Sequence, residues 1–363
     1  MARIESATVA AFFLFDVAES IQLSAVRHAV GSSARDTRIT TKLAGPVHVQ
    51  YTPPPLSLSG AAAGVREVQG FAASFKVYEY GVISVALTLD FRGTWADLAG
   101  FTAGVMGSDQ LEAGARRACQ KVVEQIRTAA SGIRETYLSE DYYVVAVSRL
   151  DPPLETEALL REHGGDIATL LRGERKPLSA EERDEVLRHR LSYLADDAFI
   201  VTWQAAFVYD PDDIQAALEI LEFANSQLLQ FRYYDDLLDK ELTAVYAQIE
   251  RTRWYDTLLG GRYTKAAHRL HSLFIDVNEV TDRTQNALKV VGDMYTARLF
   301  QLAARRVGVD SWKQAVEDKL RTLDVVYRSI VEEVNMSRGH FLELTVVLIL
   351  LFELALFFMG IMT

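Results

Sequence analysis

The chain has 363 residues, with 38 Lys+Arg against 49 Asp+Glu and a formal net charge of −11. Its 49% hydrophobic and 24% charged fractions exclude a disordered chain, and the acidic balance excludes a whole-protein basic footprint for nucleic acid. The one cysteine, Cys119, excludes an internal disulfide and a cysteine-based metal site; a reducing compartment, or indifference to redox, is the expectation.

Residues 8–15 (TVAAFFLF) follow Arg3 but are closed at once by Asp16 and Glu19, with no small-residue cleavage site. They read as a buried strand rather than a signal segment. Residues 21–30 have a helical pattern, and 47–51 (VHVQY) are strand-like and run into three prolines. Residues 56–70, rich in Gly, Ala and Ser, read as a loop. In the next strand Ile83, Val85, Leu87, Leu89 and Phe91 share one face, opposite Ser84, Ala86, Thr88 and Asp90, which suits a sheet packed mainly on one side. Leu111, Ala115, Ala118, Val122, Ile126, Ala129, Ile133 and Tyr137 recur at helical steps. Residues 142–150 and 198–209 read as two further strands, and 154–171 and 179–191 as helices between them, the second opened by the capping spacing of Ser179 and Glu182. The expected fold class for residues 1–210 is therefore an α+β domain with a mixed or antiparallel sheet.

Asp210-Pro211-Asp212-Asp213 opens a region that reads as helix only. One helix runs from Ile214 to about Leu258, where Gly260-Gly261 is a stop signal, and a second carries Leu270, Phe274, Val277, Val280, Leu288 and Val291. A third runs from Trp312 to Val334. Asn225, Arg232, Asp235 and Asp239 fall on the apolar stripe of the first, so residues 211–340 suggest a helical hairpin or bundle, or a broken coiled coil.

Residues 341–362 (FLELTVVLILLFELALFFMGIM) hold no Lys, Arg, Asn, Gln or Pro; as a helix they span about 33 Å, against about 30 Å for a bilayer core. Arg321, Arg328 and Arg338 lie upstream. The expectation is a C-terminal transmembrane helix, a tail anchor in the cell inner membrane that keeps the bulk of the chain cytoplasmic. Glu343, in the first turn, can reach the membrane interface; Glu353 lies about 80° from it around the axis, and their shared side is expected to meet a partner helix or another subunit.

The strand residues Tyr80-Gly81-Val82-Ile83-Ser84-Val85, with Leu342-Glu343 and Glu353 in the terminal apolar helix, resemble the family named for "required for meiotic nuclear division" proteins. The resemblance covers that strand and the last hundred or so residues. Thr345 stands where the family has an aromatic, and residues 140–210 hold extra strand-like sequence. What the resemblance implies is a membrane-anchored, non-enzymatic factor, whose mitochondrial relatives support membrane-associated translation.

The residues themselves announce no reaction. His268 and His271, with Asp276 and Glu279, are spaced for a metal on one helix face but read as a solvated surface. Tyr233, Tyr234, Asp235, Asp236, Asp239 and Glu241 read as a solvated acidic face. His163-Gly164-Gly165-Asp166 reads as a connector, and Cys119 as a packing residue despite Arg116, Arg117 and Lys121 nearby. No phosphate loop, dinucleotide fingerprint, nucleophile elbow or cysteine zinc spacing occurs. The expectation is a membrane-tethered scaffold or assembly factor with no cofactor and no direct nucleic-acid signal. It is expected to be a homo-oligomer, with a protein or ribosome as a further partner. The rivals are a membrane-bound enzyme with an unrecognised site, and a soluble oligomer with the apolar tail buried in an interface.

Overall fold

The computed structural model describes residues 2–31, 34–36, 54–61, 63–251, 275 and 294–358. The chain divides into two compact units, one of residues 1–233 and 283–312, the other of residues 234–282 and 313–363.

The first unit is α+β. Its mixed sheet is built on three long strands, β1 (Arg3–Asp16), β7 (Val82–Gly93) and β9 (Leu138–Asp151). Strand β1 lies between the other two and is antiparallel to both. Its apolar run is the signature of a strand covered on both faces, and every residue from Val9 to Ala18 is buried. Beyond β7 come β6 (Phe71–Val77), β4 (Leu56–Ser59) and β3 (Ala34–Asp36), with β5 (Glu67–Val68) also on β6. Beyond β9 come β12 (Ala205–Tyr209), β11 (Ala198–Val201) and β10 (Arg190–Leu191). Strand β12 is parallel to β9, which makes the sheet mixed. A separate two-stranded pair joins β2 (Ser20–Ile21) to β8 (Ala130–Ser131).

One sheet face carries the main apolar core. Phe13, Phe15, Phe75, Ile83, Val85, Leu87, Val145, Val147 and Phe207 pack there with residues of α2 (Trp95–Val105), α3 (Asp109–Gln125), α4 (Thr156–Leu171) and α5 (Ala180–Arg188). Helix α1 (Leu23–Val30) adds Val26. The opposite face is covered by the first part of α6 (Gln215–Arg251) and by α7 (Met294–Val307), which lies against β10 and β11. The rings of Phe223 of α6 and Phe300 of α7 meet at a tilt of 34°, with centroids 5.5 Å apart. The second unit holds the rest of α6 and most of α8 (Val309–Phe358).

Several expectations change. Residues 56–70 are not all loop: Leu56 and Leu58 alternate with Ser57 and Ser59, are fully buried, and pair as β4 with β6. The helix expected to reach Tyr137 stops at Gln125, and a 3-10 turn (Arg127–Ala129) leads into β8. Residues 198–209 form a hairpin rather than one strand. Thr202 Oγ1 donates to Ala205 O and accepts from Ala205 N, closing the turn. The turn shifts the phase, so Ile200, and not Phe199, shares the core face with Phe207. A two-residue period cannot register such a turn.

The expected C-terminal transmembrane helix, tail anchor and inner-membrane placement are overturned. Among the described residues no helix is long and apolar enough to cross a membrane. Residues 341–358 do continue α8, but Glu343 and Glu353 bound an uncharged stretch of only residues 344–352. Nine residues give about 14 Å of helix, under half of a bilayer core of about 30 Å. The strand expected at 47–51 and the candidate ligands His268, His271, Asp276 and Glu279 lie outside the described residues.

Candidate functional site

The chemistry-bearing side chains of the first unit collect between its sheet and α6. Glu140, Leu14, Ser84 and Lys76 stand in one row across β9, β1, β7 and β6, because each is the register partner of the next. Three strand spacings of about 4.8 Å separate the ends of that row by about 14 Å. On α6, Glu222 and Arg232 are ten residues, hence about 15 Å, apart. The match lets one helix span the row. Lys76 Nζ lies 2.5 Å from Glu219 Oε2 and also contacts Glu222 Oε2, while Arg232 pairs with Glu140 at the other end. The helix thus presents acids over a base at one end and a base over an acid at the other.

Burial sets the electrostatics of this seam. It works against the Lys76 ammonium, but Glu222 and Glu219 more than offset it and hold that group above its usual range. Burial also raises the Glu219 and Glu140 carboxyls, against the pull of Lys76 and Arg232 respectively. Between the two ends, the Tyr80 hydroxyl lies 2.7 Å from Ser226 Oγ, and Gln227 Nε2 donates to it at 3.1 Å. Ser84 Oγ and Glu222 Oε1 are buried with no hydrogen-bond partner among the described residues.

A third ionic group closes the seam where β1 ends. Asp16 is 1% exposed, and its Oδ2 lies 2.6 Å from Arg134 Nε. The Arg134 guanidinium carbon sits 3.8 Å above the Tyr233 ring, and Nη1 donates to the Tyr233 hydroxyl at 3.0 Å. Burial pushes the Asp16 carboxyl up to about 6, with Arg134 pulling it down. The backbone around it is tightly braided. Gly81 turns β6 into β7 at a φ of +84°, its carbonyl accepts from Val17 N, and a Cβ there would lie 1.8 Å from Ala18 O. Only glycine fits that crossing.

Other candidates prove structural. His163 lies within α4, not in a connector; it stacks on Trp95 at 4.6 Å, and Nδ1 is 3.1 Å from Asp166. Gly164 lets α4 approach α5, since a Cβ there would stand 3.0 Å from Leu187. Cys119 is fully buried, and burial pushes its thiol far above the ordinary range, which makes it unreactive. In the second unit the acidic run is partly offset by two lysines: Lys319 Nζ lies 2.7 Å from Asp235 and 2.6 Å from Asp239, and Asp236 pairs with Lys240. A cleft between Tyr193, Tyr209 and Tyr295 has about 40 Å³ of free space, room for a few waters rather than a substrate. Its acids serve the backbone: Asp197 accepts from Tyr193 N and Leu194 N, and Asp210 from Asp212 N and Asp213 N. Among the described residues no group of three or more His, Cys, Asp or Glu could hold a metal ion.

Glu343 and Glu353 are both exposed on α8, about 15 Å apart along its axis. The residues between them, with Leu354 just beyond, are the conspicuous surface feature. Leu344, Val346, Val347, Leu348, Ile349, Leu350, Leu351, Phe352 and Leu354 are each 52–65% exposed. At 100° per residue, seven consecutive exposed positions from 346 to 352 pass right round the helix.

Sequence reasoning named Glu343 and Glu353 as contact residues and did not register the seam. Lys76 and Glu219 lie 143 residues apart, and nothing in either segment announces the partner.

Residues 6–215 match the family model described as "Uncharacterized protein MJ0711, N-terminal domain", and the chain belongs to that family. It is similar to "Uncharacterized protein MJ0711" of Methanocaldococcus jannaschii, with 24% identity over 218 residues. That match covers 60% of this chain and 65% of the relative, so the chain spans just under two thirds of the length of the relative it matches. The matching family carries a different description from the one suggested by the strand at Tyr80 and the Leu342-Glu343 pattern. No solved structure matches.

Proposed function

We propose that the protein is a non-enzymatic assembly module, in which long helices gather several copies and each copy displays one α+β domain. The observation that carries this reading is the apolar stretch of α8, where nine large hydrophobic side chains stand more than half exposed. Together they leave on the order of 800–1,000 Å² of apolar surface in water, beyond the few hundred Å² usual on a monomer and near one side of a standard interface. A helix that is apolar all round belongs in the interior of something. One neighbouring helix covers one side only, so the reading calls for a bundle of three or more copies, packed through residues 344–354. Glu343 precedes the stretch, and Glu353 interrupts it one residue before Leu354.

The test is the mass of the full chain in solution by sedimentation velocity, alone and with L348E/L351E. The expected result is a discrete particle of three or more chains that the double variant reduces to monomer while the sheet stays folded. A monodisperse wild-type monomer, or a chain that leaves solution for lipid vesicles instead of self-associating, would overturn the proposal.

A further inference from the structure

The acid end of the seam carries one more potential negative charge than positive. Lys76, Glu219 and Glu222 are each at most 9% exposed. Lys76 Nζ lies 2.5 Å from Glu219 Oε2 and also contacts Glu222 Oε2. Among the described residues no other base stands within ion-pair distance of either carboxyl. Two oxygens held by one nitrogen are at most about 6 Å apart. Fully ionised, the triad would be a buried net anion with two like charges at close range, and both features are costly. The nearest ionic pair along the row, Arg232 with Glu140, lies about 14 Å away and is balanced within itself.

The oxygens show where a balancing charge can sit. Glu219 Oε1 accepts from Gln215 Nε2 at 3.2 Å, while Glu219 Oε2 and Glu222 Oε2 face Lys76. Glu222 Oε1 has no partner among the described residues, and neither has the hydroxyl of Ser84, the strand residue paired with Lys76. A proton on the free oxygen of Glu222 removes the excess charge and needs no cavity. Burial holds the Glu219 carboxyl above its usual range, with Lys76 pulling it down and Glu222 pushing it further up. Because the two carboxyls share one base, such a proton belongs to the pair and not to either residue.

We propose that Glu219 and Glu222 bind one proton between them, so that the acid end of the seam is a neutral proton-binding site and α6 packs on the sheet most firmly in mild acid. The stability this proton contributes is fully present below the free-glutamate value of 4.5 and is lost as pH rises through the value of the pair in the folded protein. Above that pH the two carboxylates repel each other across Lys76.

Urea unfolding of the full chain, wild type against E219Q and E222Q, tests this between pH 4.5 and 8. Glutamine keeps the shape of a neutral carboxyl and holds no titrating proton. The folding constant of the wild type relative to either variant is expected to fall as pH rises, about tenfold per pH unit until the proton leaves and at least about tenfold in all. Asp16 is common to the three chains and cancels in the ratio. Infrared difference spectroscopy at pH 5.5 reads the same proton directly, as the carbonyl band of a neutral carboxylic acid that each single variant removes. A ratio that stays constant or rises with pH, or no acid band lost in either variant, overturns the proposal. Failure of both variants to fold overturns it as well, since a site built around a neutral carboxyl accepts an amide of the same shape.

Discussion

Asp16 offers a quantitative test of the seam. Its carboxyl titrates near 3.8 when free and near 6 in the folded protein, because burial outweighs the attraction of Arg134. A carboxyl raised in this way contributes stability that is fully present below pH 3.8 and is lost as pH rises through 6. At about 1.4 kcal/mol per pH unit, holding the ionised form at pH 7.5 costs about 3 kcal/mol relative to a neutral group of the same shape. Asp16→Asn supplies that neutral group. The variant is expected to match the wild type near pH 3.5 and to exceed it by up to about 3 kcal/mol at pH 7.5, less any loss from reduced pairing with Arg134. Urea unfolding at several pH values between 3.5 and 8, followed by tryptophan fluorescence, measures the difference. A variant less stable than wild type at pH 7.5, or a difference that does not change with pH, would refute the assignment of burial as the dominant cause.

Other outcomes follow from the same geometry. Lys76→Met alone leaves Glu219 and Glu222 buried without their cation, and should cost about 3–5 kcal/mol in urea unfolding. Gly81→Ala places a Cβ against the Ala18 carbonyl at a positive φ, and a loss of at least about 2 kcal/mol is expected by the same method. Cys119 should react with a thiol reagent only at the rate of unfolding, so that reaction in native buffer on the timescale of an exposed thiol would contradict its full burial.

The sheet was legible where pattern is local. The run at residues 8–15 and the alternation from Ile83 to Phe91 mark β1 and β7 because burial of one or both faces leaves a direct imprint on side-chain type. Helix α4 and the Ser179 cap are legible for the same reason, the Ser179 hydroxyl accepting from Glu182 N. The hairpin at Thr202 was not, because its strands carry apolar residues straight through the turn. Strand β4 was hidden by its four-residue length and the Gly- and Ala-rich stretch that follows it, and the seam by sequence distance. Hydrophobicity alone also misled at the other end of the chain. The run from Phe341 onward has the composition of a membrane span, but Glu343 and Glu353 cut the length that could sit in hydrocarbon. The same apolar residues remain a demand for burial, which the proposed self-association would meet.

That demand is most directly measured by sedimentation velocity of the full chain across a hundredfold range of concentration. A single species of at least three chains, dissociated by L348E/L351E, is the result this account requires; a monomer at every concentration contradicts it.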